Sequence, residues 1–157
     1  MKKVIDFILL QNSVNREINK KGEAIHADAD RLNEIGDSLS SEENELLCKY
    51  AKKELVVAIF IDAKNKSLKY ILVEPKIEWY YKLIGSRYIE AAYPFKSNNH
   101  LYIDEEGFLK PNNTVYYKGL GYQLAGNAIV LSSDEEGNDL STTLTLDDVR
   151  DSIIFVQ

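Results

Sequence analysis

Leu55-Val56-Val57-Ala58-Ile59-Phe60-Ile61, followed by Asp62-Ala63-Lys64-Asn65-Lys66 and then Leu68-Lys69-Tyr70-Ile71-Leu72-Val73, is the stretch that decides the fold. The first run is apolar and β-branched without interruption, the pattern of a strand buried on both faces. The polar segment is a connector, and Pro75 ends the second run, so the stretch predicts a β-hairpin. Downstream, Ile77, Tyr80, Tyr81 and Ile84 recur at i, i+3, i+4 and i+7, one apolar face of a short helix. Gly85 follows as a ready left-handed cap.

Beyond Arg87 the chain alternates between strands and turns. Tyr88 to Phe95 and His100 to Ile103 read as a strand pair, Asn127 to Leu131 as another strand and Ile153 to Val156 as a terminal one. Pro111 to Gln123 reads as an irregular or helical crossover. Thr145, with Asp148 three residues on, caps a short helix. The order resembles a split βαβ (ferredoxin-like) arrangement: an α+β fold with one antiparallel sheet and its helices on one face.

Upstream, the chain reads as helical. Val4, Phe7, Ile8, Val14 and Ile18 form one stripe, and Ile25, Ala29, Leu32, Ile35 and Leu39 a second. Ser40 and Glu43 have capping-box spacing before Leu46, Leu47, Tyr50 and Ala51. Gly22 and Gly36 are expected to punctuate these segments. We therefore expect a helical N-terminal module over 1–53 and an α+β domain over 54–157 with an added β-hairpin. Each helix is too short to be stable alone, so self-association through them is a further expectation.

Composition narrows the function. The chain has 157 residues, 45% apolar and 28% charged, an ordinary globular mix. With 19 basic against 25 acidic residues its net charge is −6, which argues against nucleic-acid binding. From Asn98 to Gln157 there are ten acidic against three basic residues. A field of that sign attracts basic surfaces. No apolar run suits a membrane span. The lone Cys48 excludes a disulfide framework and reads as a partly buried small hydrophobe. Val4 to Leu10 is short, interrupted by Asp6 and lacks a small-residue cleavage site after it, so a cytoplasmic protein is expected.

Catalytic signatures are missing. His26 and His100 have no metal-ligand spacing, and neither a nucleophile elbow nor a phosphate-binding glycine loop is present. No metal or cofactor is expected. Asp104-Glu105-Glu106-Gly107 recurs as Asp134-Glu135-Glu136-Gly137. Both copies read as solvated turns ended by a glycine suited to positive φ, or as paired acidic loops on one rim. Pro111-Asn112-Asn113-Thr114-Val115-Tyr116-Tyr117 brings amides, a hydroxyl and aromatics together, which suits a polar planar ligand.

Leu83-Ile84-Gly85, Tyr88-Ile89-Glu90-Ala91, Ile103 to Leu109, Pro111-Asn112-Asn113, Gly126-Asn127-Ala128-Ile129-Val130 and Leu144 to Val149 stand in an order that resembles domain-of-unknown-function family 3846 over about residues 68–156. Asp104 replaces a usual Asn, Thr114 stands where an Arg commonly follows the Asn, and the segment before the central helix is short. The resemblance implies no established activity. It implies a phage or mobile-element setting, in which small acidic proteins act against host defences.

The reading that follows is a non-catalytic binding or inhibitor protein that occupies a host protein or sequesters a nucleotide-like messenger. Its expected contacts are Asn112, Asn113 and Tyr116, with Glu105 and Glu106 as an acidic rim. A small carboxylate-dependent hydrolase and a structural or oligomerisation module are the alternatives.

Overall fold

The computed structural model describes residues 1–21, 26–111, 114–117 and 121–156. They divide into two compact units, Met1–Leu55 and Val56–Gln157.

The first unit holds α1 (Lys2–Lys21), α2 (His26–Asp37) and α3 (Ser41–Ala51), with α1 packed on both others. Val4, Ile5, Ile8 and Val14 are its buried stripe. The capping box forms as its spacing predicts: Glu43 N–H donates to Ser40 Oγ at 3.2 Å and Ser40 N–H to Glu43 Oε2 at 3.0 Å. Gly36 stands one residue before the end of α2, in keeping with its expected place between helical segments, and an added Cβ there would meet the Phe7 ring at 3.5 Å. One reading is corrected. Cys48 is exposed, because α3 is amphipathic and turns that position away from its apolar face. Gly22 and Ile25 lie outside the described residues.

The second unit is α+β, built on an open antiparallel sheet. It comprises β1 (Val56–Asp62), β2 (Ser67–Val73), α4 (Ile77–Ile84), β3 (Ile89–Phe95), β4 (Asn99–Asp104), β5 (Thr114–Tyr117), β6 (Tyr122–Ala125), β7 (Ala128–Ser133), β8 (Asp139–Leu140), α5 (Leu146–Ser152) and β9 (Ile153–Phe155). The main sheet has six strands in the order β2-β1-β7-β4-β3, with β8 added to β7.

β1 alternates its buried residues between two cores, as an unbroken apolar run requires. Val56, Ala58 and Phe60 join Tyr80 and Ile84 of α4, with Ile129 and Leu131 of β7. Ile59 and Ile61 join Leu101, Ile103, Val130, Leu124, Val149 and Ile153.

The pairings correct three details of topology. The ladders among the described residues are all antiparallel, as a split βαβ sheet requires, but the strand order differs from it: β7 lies between β1 and β4, and the terminal β9 lies outside the main sheet. The stretch expected as a crossover contains the β5–β6 hairpin, and β9 adds to β5 in a separate three-stranded sheet. The helices also do not share a face: α4 covers one side of the main sheet, and α5 packs with the small sheet on the other. Apolar side chains on both faces of β1 and β7 require cover on both.

Candidate functional site

Period-2 alternation places His100, Tyr102 and Asp104 on one face of β4, the side that α4 covers. Two polar groupings result, one midway along the strand and one at its end.

The first centres on Asp139. Its carboxylate accepts hydrogen bonds from Tyr80 Oη at 2.9 Å, from Tyr102 Oη at 3.1 Å and from His100 Nε2 at 3.1 Å. The Tyr80 and Tyr102 rings stack at 4.9 Å, and His100 meets Tyr102 edge-on at 5.0 Å. Tyr80 is 1% exposed and His100 2%. Burial, and then the adjacent Asp139 charge, push the Tyr80 hydroxyl far above its ordinary value. The carboxylate is thus satisfied by three neutral or cationic donors and joins the short β8 to β4 and α4. This network fastens the fold.

The second grouping is an open cleft of about 440 Å³ at the C-terminal end of α4. Gly85 ends the helix in the left-handed region, φ 81°, and its N–H and that of Ser86 both donate to Tyr81 O. This turn delivers Ser86, Arg87 and Tyr88 to the end of β4. Tyr81, Lys82, Glu106 and Lys110 complete the wall. Lys82 Nζ also lies over the Trp79 ring, 4.4 Å from its centre.

Behind the cleft lies an ion pair. Lys110 Nζ donates to Asp104 Oδ2 at 2.7 Å and to Ser86 Oγ at 3.0 Å. Burial alone would raise the Asp104 pKa. Hydrogen bonds from Lys110, Ser86 and the Glu106 N–H outweigh it and hold the carboxyl below the usual range.

A serine and a lysine in contact invite comparison with a nucleophile–base pair. The partners here argue against that chemistry. Ser86 Oγ faces the Tyr88 backbone, donating to its carbonyl and accepting from its N–H at 3.2 Å each. Lys110 Nζ donates to both Ser86 Oγ and Asp104 Oδ2, so it directs a proton and not a lone pair at the serine. Both act as struts of the cleft wall.

A family model described as Domain of unknown function (DUF3846) matches residues 56–153. The chain belongs to that family. Comparison with curated proteins and with solved structures gives no match.

Within the DUF3846 domain, Glu106 lines the cleft and Glu105 lies exposed beside it. Asn112 and Asn113 lie outside the described residues. Tyr116 belongs to β5, paired with Gln123 and Ile154, so it sits in a sheet and not in the expected crossover. The two acidic turns do not share a rim. Asp104 ends β4 and Asp134 follows β7, and these antiparallel neighbours point their ends in opposite directions. Five paired positions separate the ends, which at about 3.4 Å each is on the order of 15 Å.

Sequence reasoning missed Ser86, Arg87, Tyr88 and Lys110. The signal available was Gly85, which predicts a sharp exit from α4 and so a group of residues brought back to the sheet. Among the described residues no group of three or more His, Cys, Asp or Glu is placed to hold a metal ion, and no helix is long and apolar enough to cross a membrane.

Proposed function

We propose that this DUF3846 domain works by binding rather than by catalysis, and that its cleft takes a small anionic molecule carrying a planar ring, of nucleotide type. The observation that carries this reading is the gathering of Lys82 and Arg87 with Tyr81 and Tyr88 around one open cleft, in a chain of net charge −6. Cations meet phosphate, and tyrosine faces offer a ring a stacking surface with little loss of side-chain entropy. Glu106 on the same wall disfavours a bare polyanion. Held without turnover, such a molecule is sequestered, an action that suits the counter-defence setting implied by the resemblance.

The test is thermal denaturation of the full chain with adenosine and guanosine mono- and diphosphates, and with inorganic phosphate. A nucleotide at a hundred times its Kd is expected to add about 2.7 kcal/mol of stability. Arg87→Glu should remove the response while leaving the unliganded melting temperature unchanged, since Arg87 is exposed. A flat profile across the panel overturns the reading, as does multiple-turnover conversion of any nucleotide in it.

A further inference from the structure

The segment from Asp104 to Lys110 is fastened at every turn yet turns its two largest apolar side chains outward. Asp104 accepts from Glu106 N–H at 3.1 Å and from Lys110 Nζ at 2.7 Å, closing the loop on itself. Leu109 N–H donates to Glu106 O at 2.9 Å and Lys110 N–H to Gly107 O at 3.2 Å, forming a 3-10 turn over Gly107–Leu109. Glu105 N–H donates to Tyr88 O at 2.9 Å. Gly107 is buried so closely on β6 that an added Cβ would lie 2.4 Å from Ala125 O. On this support Phe108 is 64% exposed and Leu109 84%.

The fold derives little from these two side chains, because most of their surface stays in water. A rigid backbone that presents large apolar groups has already lost the conformational freedom that binding would otherwise remove. That is the character of an interface anchor, where a few apolar or aromatic residues fill a partner's pocket inside a polar rim. The rim here is acidic. Glu105 and Glu106 precede the anchors, and the following Lys110 is neutralised by Asp104. The whole chain carries −6, so a second copy would bring the same charge and its own Glu105 and Glu106. The field favours a partner of opposite sign.

We propose that Phe108 and Leu109 are the anchors of a protein-docking surface, and that the partner presents an apolar pocket edged by Lys and Arg. The anchors Phe108 and Leu109 are not among the residues that line the cleft, although Glu106 borders both, so neither proposal requires the other.

The probe is a displayed library of random peptides, panned on the immobilised full chain with counter-selection on the Phe108→Ser, Leu109→Ser double variant. The expected ligands combine an aromatic or aliphatic residue with Lys or Arg. They bind the wild type at least tenfold more tightly than the double variant, and weaken as salt is raised. An absence of enrichment, or ligands that bind both proteins alike, overturns the proposal. The variant's melting temperature should equal or exceed that of the wild type; a drop of many degrees would mean that the side chains serve the fold, and also overturns it. Sedimentation velocity closes the remaining route: a concentration-dependent dimer that the double variant abolishes would assign the surface to a second copy and overturn the basic partner.

Discussion

The two Asp-Glu-Glu-Gly segments start from the same four residues and become different structures. In both, the aspartate folds back on the next turn: Asp104 Oδ1 accepts from Glu106 N–H, and Asp134 Oδ1 from Glu136 N–H at 3.0 Å. There the likeness ends. Asp134 turns in water, takes a second backbone bond from Asn138 at 2.8 Å, and leads to Gly137 at φ 85°. Asp104 is buried against Lys110 and Ser86, and Gly107 is pressed onto Ala125. One glycine answers a backbone conformation, the other a shortage of space. A four-residue motif sets the local turn; what surrounds it sets whether the turn is surface or structure.

Swapping each glycine for alanine should widen that contrast most. At Gly107 the new Cβ would lie 2.4 Å from a backbone oxygen of β6, and backbone cannot rotate aside as a side chain can. We expect Gly107→Ala to cost about 3 kcal/mol, in the range of overpacked interiors. At Gly137 nothing lies within 4 Å of the new atom, so the cost is the left-handed conformation alone, about 1–2 kcal/mol. Urea denaturation of the two variants measures both. Equal losses would mean that Gly107 is not packed as described.

The aspartates come next. Asp104→Asn removes the charge that meets Lys110, whose own side chain remains about one-third exposed and can turn to water. That escape limits the expected cost to about 1–2 kcal/mol. Asp134→Asn should cost less, because the solvated turn keeps its backbone bonds to an amide oxygen. Both carboxyls sit below their ordinary value of 3.8: Asp134 chiefly through the Asn138 side-chain bond, Asp104 through Lys110, Ser86 and Glu106 against the opposing effect of burial. A depressed carboxyl contributes stability that is full above the unfolded value and is lost as pH falls through the folded one. Melting temperature followed downward from neutral pH should therefore fall less steeply below about pH 4 in Asp104→Asn than in the wild type. An unchanged slope would remove Asp104 from the acid-sensitive groups.

Much of the local structure was legible because its partners lie within a few residues of one another. Ser40 with Glu43 and Thr145 with Asp148 both close capping boxes, and Gly85 takes the left-handed cap that the apolar spacing before it requires. The β1–β2 hairpin follows from two apolar runs around a short polar connector. Strand order was not legible, because β1 chooses β7 as its second neighbour across most of the domain, and antiparallel strands of similar composition offer several equivalent partners. β5 and β6 were missed for a different reason: each has four residues, too few to display a period. The cleft depends on Ser86 meeting Lys110, 24 positions apart, and neither residue type signals that meeting. Exposed Cys48 shows the same limit at small scale, since helical context alone does not say which face finds a partner.

The smallest expected difference separates the glutamates. Glu106 lines the cleft, whereas Glu136 lies at the opposite end of the strands and is exposed. Neither reversal should shift stability by more than about 0.5 kcal/mol, the usual range for surface substitutions. For an anion in the cleft they are unequal. Glu106→Lys replaces a repelling charge by an attracting one beside Lys82 and Arg87, while the charge change at Glu136 is separated from the cleft by more than the screening length of about 8 Å at physiological salt. Titration calorimetry with the nucleotide that most stabilises the wild type should therefore show severalfold tighter binding for Glu106→Lys, fading as salt is raised. Glu136→Lys should leave the affinity unchanged. Equal gains from the two reversals would mean that only net charge matters, and that the two copies of the motif, though folded differently, are electrostatically interchangeable.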